Sequence, residues 1–274
     1  MSLTWAALVV VLVAGAAITV MLLVRRGAPE GSYFEDGDRA AGVFGVISTG
    51  FAILLGFVVF LAFESYDTSR SGAETEAQVV ALQFQTAQLL PAASRAPLSA
   101  ALVCYARNVV FTEWPEMQSG KASTLINPWS VTMFRTLQTI EPRKASEQAA
   151  YAKWLDQQSD RQVARTDRTH GAEGVIPTPL WIVLFISAGI IFVFMLFFAD
   201  IGERAVVQAT MMGGVAVVIT SMLLLLWFLD NPYHAGVGGL PPKAMERTLK
   251  LLDAQTKLVG VPLGNACDAR GAPN

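Results

Sequence analysis

The chain has 274 residues, 53% of them hydrophobic and only 15% charged, with a net charge of -2. A composition this apolar excludes a wholly aqueous protein, and so small a net charge, with neither half strongly basic, leaves no electrostatic footprint for nucleic acid. Two cysteines and two histidines, in no ligand spacing, give no metal site.

Four apolar runs dominate the pattern, at residues 4–24, 41–63, 180–199 and 205–229, and none contains Asp, Glu, Lys, Arg or His. Each is about 20 residues long, which a helix needs to cross ~30 Å of hydrocarbon. Soluble helices keep a polar face, and these have none. The expected fold is therefore all-α and polytopic. Transmembrane hairpins lie at 4–63 and 179–229, a helical extramembrane domain at 64–178, and a tail with a short helix at 230–274.

No basic residue precedes the first run, and its apolar stretch is too long for a cleaved signal core. Arg25 and Arg26 follow it, and such a pair tends to stay in the cytoplasm. This places the 64–178 domain and both termini outside. Arg161, Arg165 and Arg168 before the third run, and Lys243, Arg247 and Lys250 after the fourth, pull the other way. Parity is firmer than sign: four crossings put the termini and the insert on one side. Trp5, Trp181 and Trp227 all fall at run ends on that side, where an interfacial aromatic belt belongs.

Within the second run, Gly42, Gly45, Thr49, Ala52 and Gly56 recur at steps of three and four, forming a stripe of small residues. Such stripes let helix backbones approach closely in lipid. The stripe suits packing against the first or fourth run, or against other subunits around a pore. Ile47, Phe51 and Leu55, at steps of four on the almost opposite face, are the candidates for a hydrophobic constriction. Lipid-facing or core packing is the plainer reading of the same three. Gly213, Gly214, Thr220 and Ser221 suit close packing of the fourth run.

The insert holds 11 Lys+Arg against 12 Asp+Glu. Residues 64–90 carry Ala73, Ala77, Val80, Phe84, Ala87 and Leu90 at helical spacing and continue the second run as one long helix. A second helix is expected after Ser94, with Leu98, Leu102, Tyr105 and Val109 on its apolar side, ending near Trp114-Pro115. Asn127-Pro128 marks the start of a third, with Asn as cap, running to about Thr139. A fourth spans about 143–168, with Ala149, Trp154 and Val163 as its apolar positions. After a Gly/Pro-rich turn, residues 242–258 form a last helix with Met245, Leu249 and Leu252 on one face. Cys104 and Cys267 share a compartment. They form either a disulfide tying tail to insert, if that compartment is oxidising, or two free thiols.

No span contains the carboxylate that an ion-driven pump or stator needs as its relay. Asp200, Glu203, Arg204 and Asp230 lie at span ends and are expected as interfacial charges. Glu35, Asp36 and Asp38 form a small acidic cluster, read as solvated. The phosphate-loop, nucleophile-elbow and zinc-protease motifs are all missing, so no catalytic residue, cofactor or enzyme activity is expected.

The segment Gly42-Val43-Phe44-Gly45 through Ile53-Leu54-Leu55-Gly56-Phe57 to Glu74-Thr75-Glu76-Ala77 resembles the second-span signature of the bacterial bestrophin-like family of unknown function. Leu89-Leu90-Pro91, Tyr105 with Glu113-Trp114-Pro115 and Gly120, and Leu229-Asp230-Asn231-Pro232-Tyr233 with Gly236 and Pro241-Pro242 fit the same order. The family more often has Phe where Tyr233 stands. The family's name implies a distant likeness to bestrophins, four-span homo-oligomeric anion channels with a large domain between spans two and three. The resemblance thus implies a multi-pass protein of the bacterial inner membrane that conducts small inorganic ions, with the second span lining the axis. Bestrophins hold that domain in the cytoplasm, whereas Arg25-Arg26 puts it outside. The alternative function is a non-conducting envelope scaffold.

The parity is directly testable. Reporters fused to the two ends, together with proteolysis of the insert, should report a single compartment; ends in different compartments would overturn the span count.

Overall fold

The computed structural model describes residues 3–121, 127–260 and 266–274. Among these the structure is helical: α1 Leu3–Arg25, α2 Gly37–Ala87, α3 Ala92–Asn108, a π turn Val109–Glu113, α4 Trp114–Gln118, α5 Pro128–Gln138, α6 Ala145–His170, α7 Thr178–Phe197, α8 Ala205–Asp230 and α9 Lys243–Val259. Four of them, α1, α2, α7 and α8, are long and apolar enough to cross a membrane. The chain divides into two compact units. The first comprises Met1–Glu64, Val175–Asp230 and Ala235–Gly238, and the second Ser65–Gly174, Asn231–His234 and Gly239–Asn274.

In the first unit, α1 packs along α8 rather than along its neighbour in sequence. Gly213 lets them close up, since a Cβ there would lie 2.8 Å from Ile18 Cδ1. A second cluster joins α2 to α7 and α8 through Phe51, Leu55, Leu184, Ile191 and Leu226. Asp230, expected as an ordinary interfacial charge, is buried. Its carboxylate accepts hydrogen bonds from the backbone N–H of Val175 (2.7 Å) and Ile176 (2.9 Å) and from the Trp181 indole (3.4 Å). It thereby fixes the entry to α7 with donors that would otherwise be orphaned. At the opposite ends of these helices, the Arg25 guanidinium donates to the carbonyls of Ile201 (2.9 Å) and Glu203 (2.5 Å).

The second unit is a helical module in which the tail is part of the same core as the insert. Ala77, Val80, Phe84, Leu98, Leu102, Tyr105 and Leu252 pack in one cluster. α2 does continue past the apolar run, as the spacing of Ala77, Val80, Phe84 and Ala87 requires. α3 begins at Ala92, earlier than expected, and the rod does not stop at Trp114-Pro115. It passes through the π turn instead, whose wider spacing accommodates a proline that has no N–H for the helical ladder. Asn127 caps α5 as expected, its side chain accepting from the Trp129 N–H at 3.1 Å. The buried face of α6 is Ala150, Trp154, Gln157, Arg161, Ala164 and Arg168, so Ala149 and Val163 point outward.

The tail is tied down at several points. Trp114 Nε1 donates to the Leu240 carbonyl (3.0 Å), Thr248 Oγ1 to the Ala77 carbonyl (3.0 Å) and Trp129 Nε1 to the Gly271 carbonyl (2.6 Å). Gly271 adopts φ 84° and lies so near α3 that a Cβ would come within 2.4 Å of the Asn108 nitrogen. Only glycine meets both demands. Beside it, Cys104 and Cys267 are disulfide-bonded, their Cα atoms 5.9 Å apart.

Alkylation of the denatured, unreduced protein should therefore label neither cysteine, and reduction should expose two thiols; labelling before reduction would contradict the pairing.

Candidate functional site: the outward face of the second span and the buried arginine cluster

The membrane portion of α2 has two distinct faces. Phe51 and Leu55, expected as constriction residues, are 7% and 5% exposed and are turned into the chain's own packing. Ile47 packs against the same cluster. In the single chain all three side chains pack with residues of α7 and α8. The small stripe is the reverse. Gly42, Gly45, Thr49, Ala52 and Gly56 are all exposed. A Cβ added at Gly42, Gly45 or Gly56 would meet nothing within 4 Å, so the stripe does not serve packing against α1 or α8. Next to it runs an exposed apolar ridge of Val46, Ile53 and Phe57. Between α2 and α8 lies an apolar groove of about 670 Å³, bordered by Phe44, Ala52, Gly56, Val218 and Met222.

The second unit contains a buried charge cluster that sequence reasoning missed. The sequence marks Glu76 and Glu113 only as parts of family motifs, and Arg161 and Arg168 only as basic residues before the third run. All four side chains are buried. The Arg168 guanidinium engages both Glu76 oxygens, through Nε and through Nη2 (3.2 Å), and Nη2 also reaches Glu113 Oε2 at 2.5 Å. Arg165 donates to Glu113 Oε1 (3.3 Å), as does Asn127 Nδ2 (2.9 Å). The Tyr105 hydroxyl donates to Glu76, and the Tyr233 hydroxyl to the Arg168 carbonyl. Arg168 also stands over the Trp114 ring, 5.6 Å from its centroid.

Local backbone geometry makes this possible. Gly72 brings α6 onto α2 so closely that a Cβ would fall 2.5 Å from the Arg168 nitrogen. Tyr105 and Glu113, eight residues apart, would be offset by about 80° on a regular α-helix. The π turn at Val109–Glu113 removes much of that offset and turns both toward Arg168. Burial opposes ionisation of Glu113, but the charges of Arg168 and Arg165 and the hydrogen bonds from Arg168 and Asn127 outweigh it, holding its carboxyl below the usual range. Burial likewise disfavours the Arg168 cation, yet Glu76 and Glu113 reverse the effect and keep it firmly protonated. Burial, reinforced by Glu76, pushes the Tyr105 phenol well above its ordinary value, so it remains a donor. The cluster has no nucleophile poised beside a base. It is a clamp, and among the described residues no group of His, Cys, Asp and Glu could hold a metal.

An all-helical, four-span protein with one helical extramembrane module is the class these features define. A Bestrophin-like domain matches residues 8–238, and the chain belongs to that family. Three crystal structures share its fold. A bacterial bestrophin homologue from Klebsiella pneumoniae is 15% identical with TM-score 0.66, covering 95% of this chain and all of the other. A single-residue variant of that homologue is 14% identical with TM-score 0.67, over 93% of this chain and 98% of its own. A further membrane protein is 14% identical with TM-score 0.66, over 89% and 98%. No curated protein matches.

The clamp predicts a specific acid response. Glu113 has a depressed carboxyl, so its contribution is complete above its ordinary value of 4.5 and is lost as the pH falls through the lower folded-state value. The melting temperature of the purified protein should therefore fall on acidification below 4.5. Glu113→Gln, which removes one of the two carboxylates that engage the buried Arg168, should cost about 3–5 kcal/mol at neutral pH and flatten the acid limb.

Proposed function

We propose that this protein is a homo-oligomeric ion channel, selective for small anions, with an axis lined by α2. One observation carries the reading: the small-residue stripe of α2 is fully exposed on the single chain and meets no other helix of it. Lipid gains little from a row of glycines, whereas a second helix gains close backbone contact. Membership of the Bestrophin-like family and the fold shared with bacterial bestrophin homologues support a ring of identical subunits. With Phe51 and Leu55 committed to internal packing, the side chains left for the axis are Val46, Ile53 and Phe57. A ring of such residues passes ions only when wide enough to stay wetted.

The insert and tail lie on the extracytoplasmic side in this reading. The Cys104–Cys267 disulfide supports that side, since such bonds persist in oxidising compartments, as does the Arg25-Arg26 pair. Of the six basic residues that argue for the reverse, Arg161 and Arg168 are spent on the buried cluster, while Lys243, Arg247 and Lys250 still pull the other way.

A non-conducting scaffold is the second reading, favoured by the wholly apolar ridge. Reconstitution separates the two. Flux of chloride into vesicles, raised by Phe57→Ala and unaltered in selectivity by Phe51→Ala, is expected of the channel. A sealed, flux-free oligomer would support the scaffold. Gly56→Leu should lower oligomer yield far more than Phe57→Leu, because bulk on the stripe separates backbones; equal yields would remove the stripe from the interface.

A further inference from the structure

A small cavity beside the turn that joins α7 to α8 belongs neither to the arginine clamp nor to the outward face of α2. Its volume is about 240 Å³, and it lies wholly within the first unit, against the C-terminal ends of α1 and α7 and the first turns of α8. Met21, Met195, Phe198 and Met211 give it an apolar wall. Ser32, Asp200, Glu203 and Gln208 give it a polar one, and no basic side chain lines it among the described residues. Arg25 reaches the same turn, but its Nη2 is held by the Ile201 and Glu203 carbonyls.

The polar wall is rich in acceptors. Asp200 Oδ1 accepts from the Gly202 N–H (2.7 Å) and Glu203 Oε1 from the Arg204 N–H (3.0 Å), and each carboxylate has a second oxygen with no donor among the described residues. Neither takes part in an ion pair there. Gln208 is the informative residue. It is 5% exposed, and its Nε2 donates to the Asp200 carbonyl at 3.1 Å. A carbonyl only accepts, so this bond fixes which end of the amide is nitrogen and turns Oε1 the other way. Oε1 is buried and has no partner among the described residues. A buried acceptor left unmet is costly. The wall thus offers three unmet oxygens, two of them on ionised groups.

We infer that this cavity takes a primary ammonium group, held by Asp200, Glu203 and Gln208. An –NH₃⁺ group has three donors and no acceptor, which matches three oxygens and no donor. The carboxylates supply its counter-charge, and Glu203, which is exposed, keeps water on its other side. The methionines and the Phe198 ring suit the methylenes that carry the nitrogen. A bare metal ion would use the oxygens and leave that apolar wall without a role. A water molecule brings only two donors and no charge. The ends of three spans meet here, so in a bilayer the cavity lies at the level of the lipid head groups. The ethanolamine head group carries a primary ammonium at that depth, and a free amine in solution is the other source of the same chemistry.

The test uses the full-length protein in detergent, with phosphatidylethanolamine and ethylammonium chloride as probes. The melting temperature should rise and saturate as phosphatidylethanolamine is added, and should not rise with phosphatidylcholine, whose three methyl groups replace the three N–H donors. A rise with the lipid alone assigns the cavity to the head group; a rise with ethylammonium alone, at ionic strength held constant with sodium chloride, assigns it to a soluble amine. Asp200→Asn and Glu203→Gln, both in the turn, should each raise the half-effect concentration of the active probe about tenfold, the loss expected for a hydrogen bond to a charged partner. Gln208→Leu should do the same; if that variant does not fold, the two turn variants decide. No response to either probe, equal stabilisation by the two lipids, a calcium response equal to that of the active probe, or an unchanged half-effect concentration in both turn variants would overturn the proposal. None of these readings depends on whether the protein conducts.

Discussion

The helical module depends on one guanidinium. Arg168 is fully buried and gathers segments that are distant in sequence: Glu76 on α2, Glu113 at the end of the π turn, the Trp114 ring, and Tyr233 from the tail. The ion pairs themselves add little net stability once the cost of removing three charges from water is counted. Their effect is to specify. Any arrangement that separates these partners leaves a bare charge in an apolar core, and such states are excluded far more strongly than a loosely packed native state is favoured. The close approach at Gly72 and the rotation introduced by the π turn are the backbone conditions for the clamp. The Tyr233 hydroxyl adds a bond to the Arg168 backbone that Phe could not make.

The membrane unit follows different physics. Its spans pack through apolar side chains, divided between committed and uncommitted faces. α1 and α8 close over Gly213, and α2 buries Phe51 and Leu55 against α7 and α8. Asp230 gives up its solvent shell to cap the entry of α7. On α2, the glycine stripe and the ridge beside it remain uncommitted. That asymmetry gives the assembly proposal its physical content: the inward face is already satisfied, so any specific contact must form on the other.

Much of this fold was legible in the sequence, and the reasons for the remainder are specific. Unbroken hydropathy over four runs marks the spans because a charge anywhere within them would be prohibitive. Asn127-Pro128 carries its own capping chemistry and was readable locally. The face of α6 was not. Its buried positions include Gln157, Arg161 and Arg168, which hydropathy scores as solvent-facing, and their partners lie on α2 and the π turn, up to 92 residues away. The recurrence of Gln157, Arg161 and Arg168 at i+3, i+7 and i+14 from Trp154, on one face of the helix, is the signal that could have found them. Phe51 and Leu55 were correctly placed on a single face, but periodicity does not say whether a face meets its own chain or an axis. The bestrophin-like resemblance identified the family.

The clamp is best tested by a thermodynamic cycle in which Glu113→Gln and Arg168→Met are made singly and together, with unfolding followed at neutral pH. If Arg168 holds the module through its carboxylates, each single change strands a buried charge, and the pair together should cost well under the sum of the two, a coupling of about 1–3 kcal/mol. Strictly additive losses would mean that the two side chains act independently, and would contradict the account.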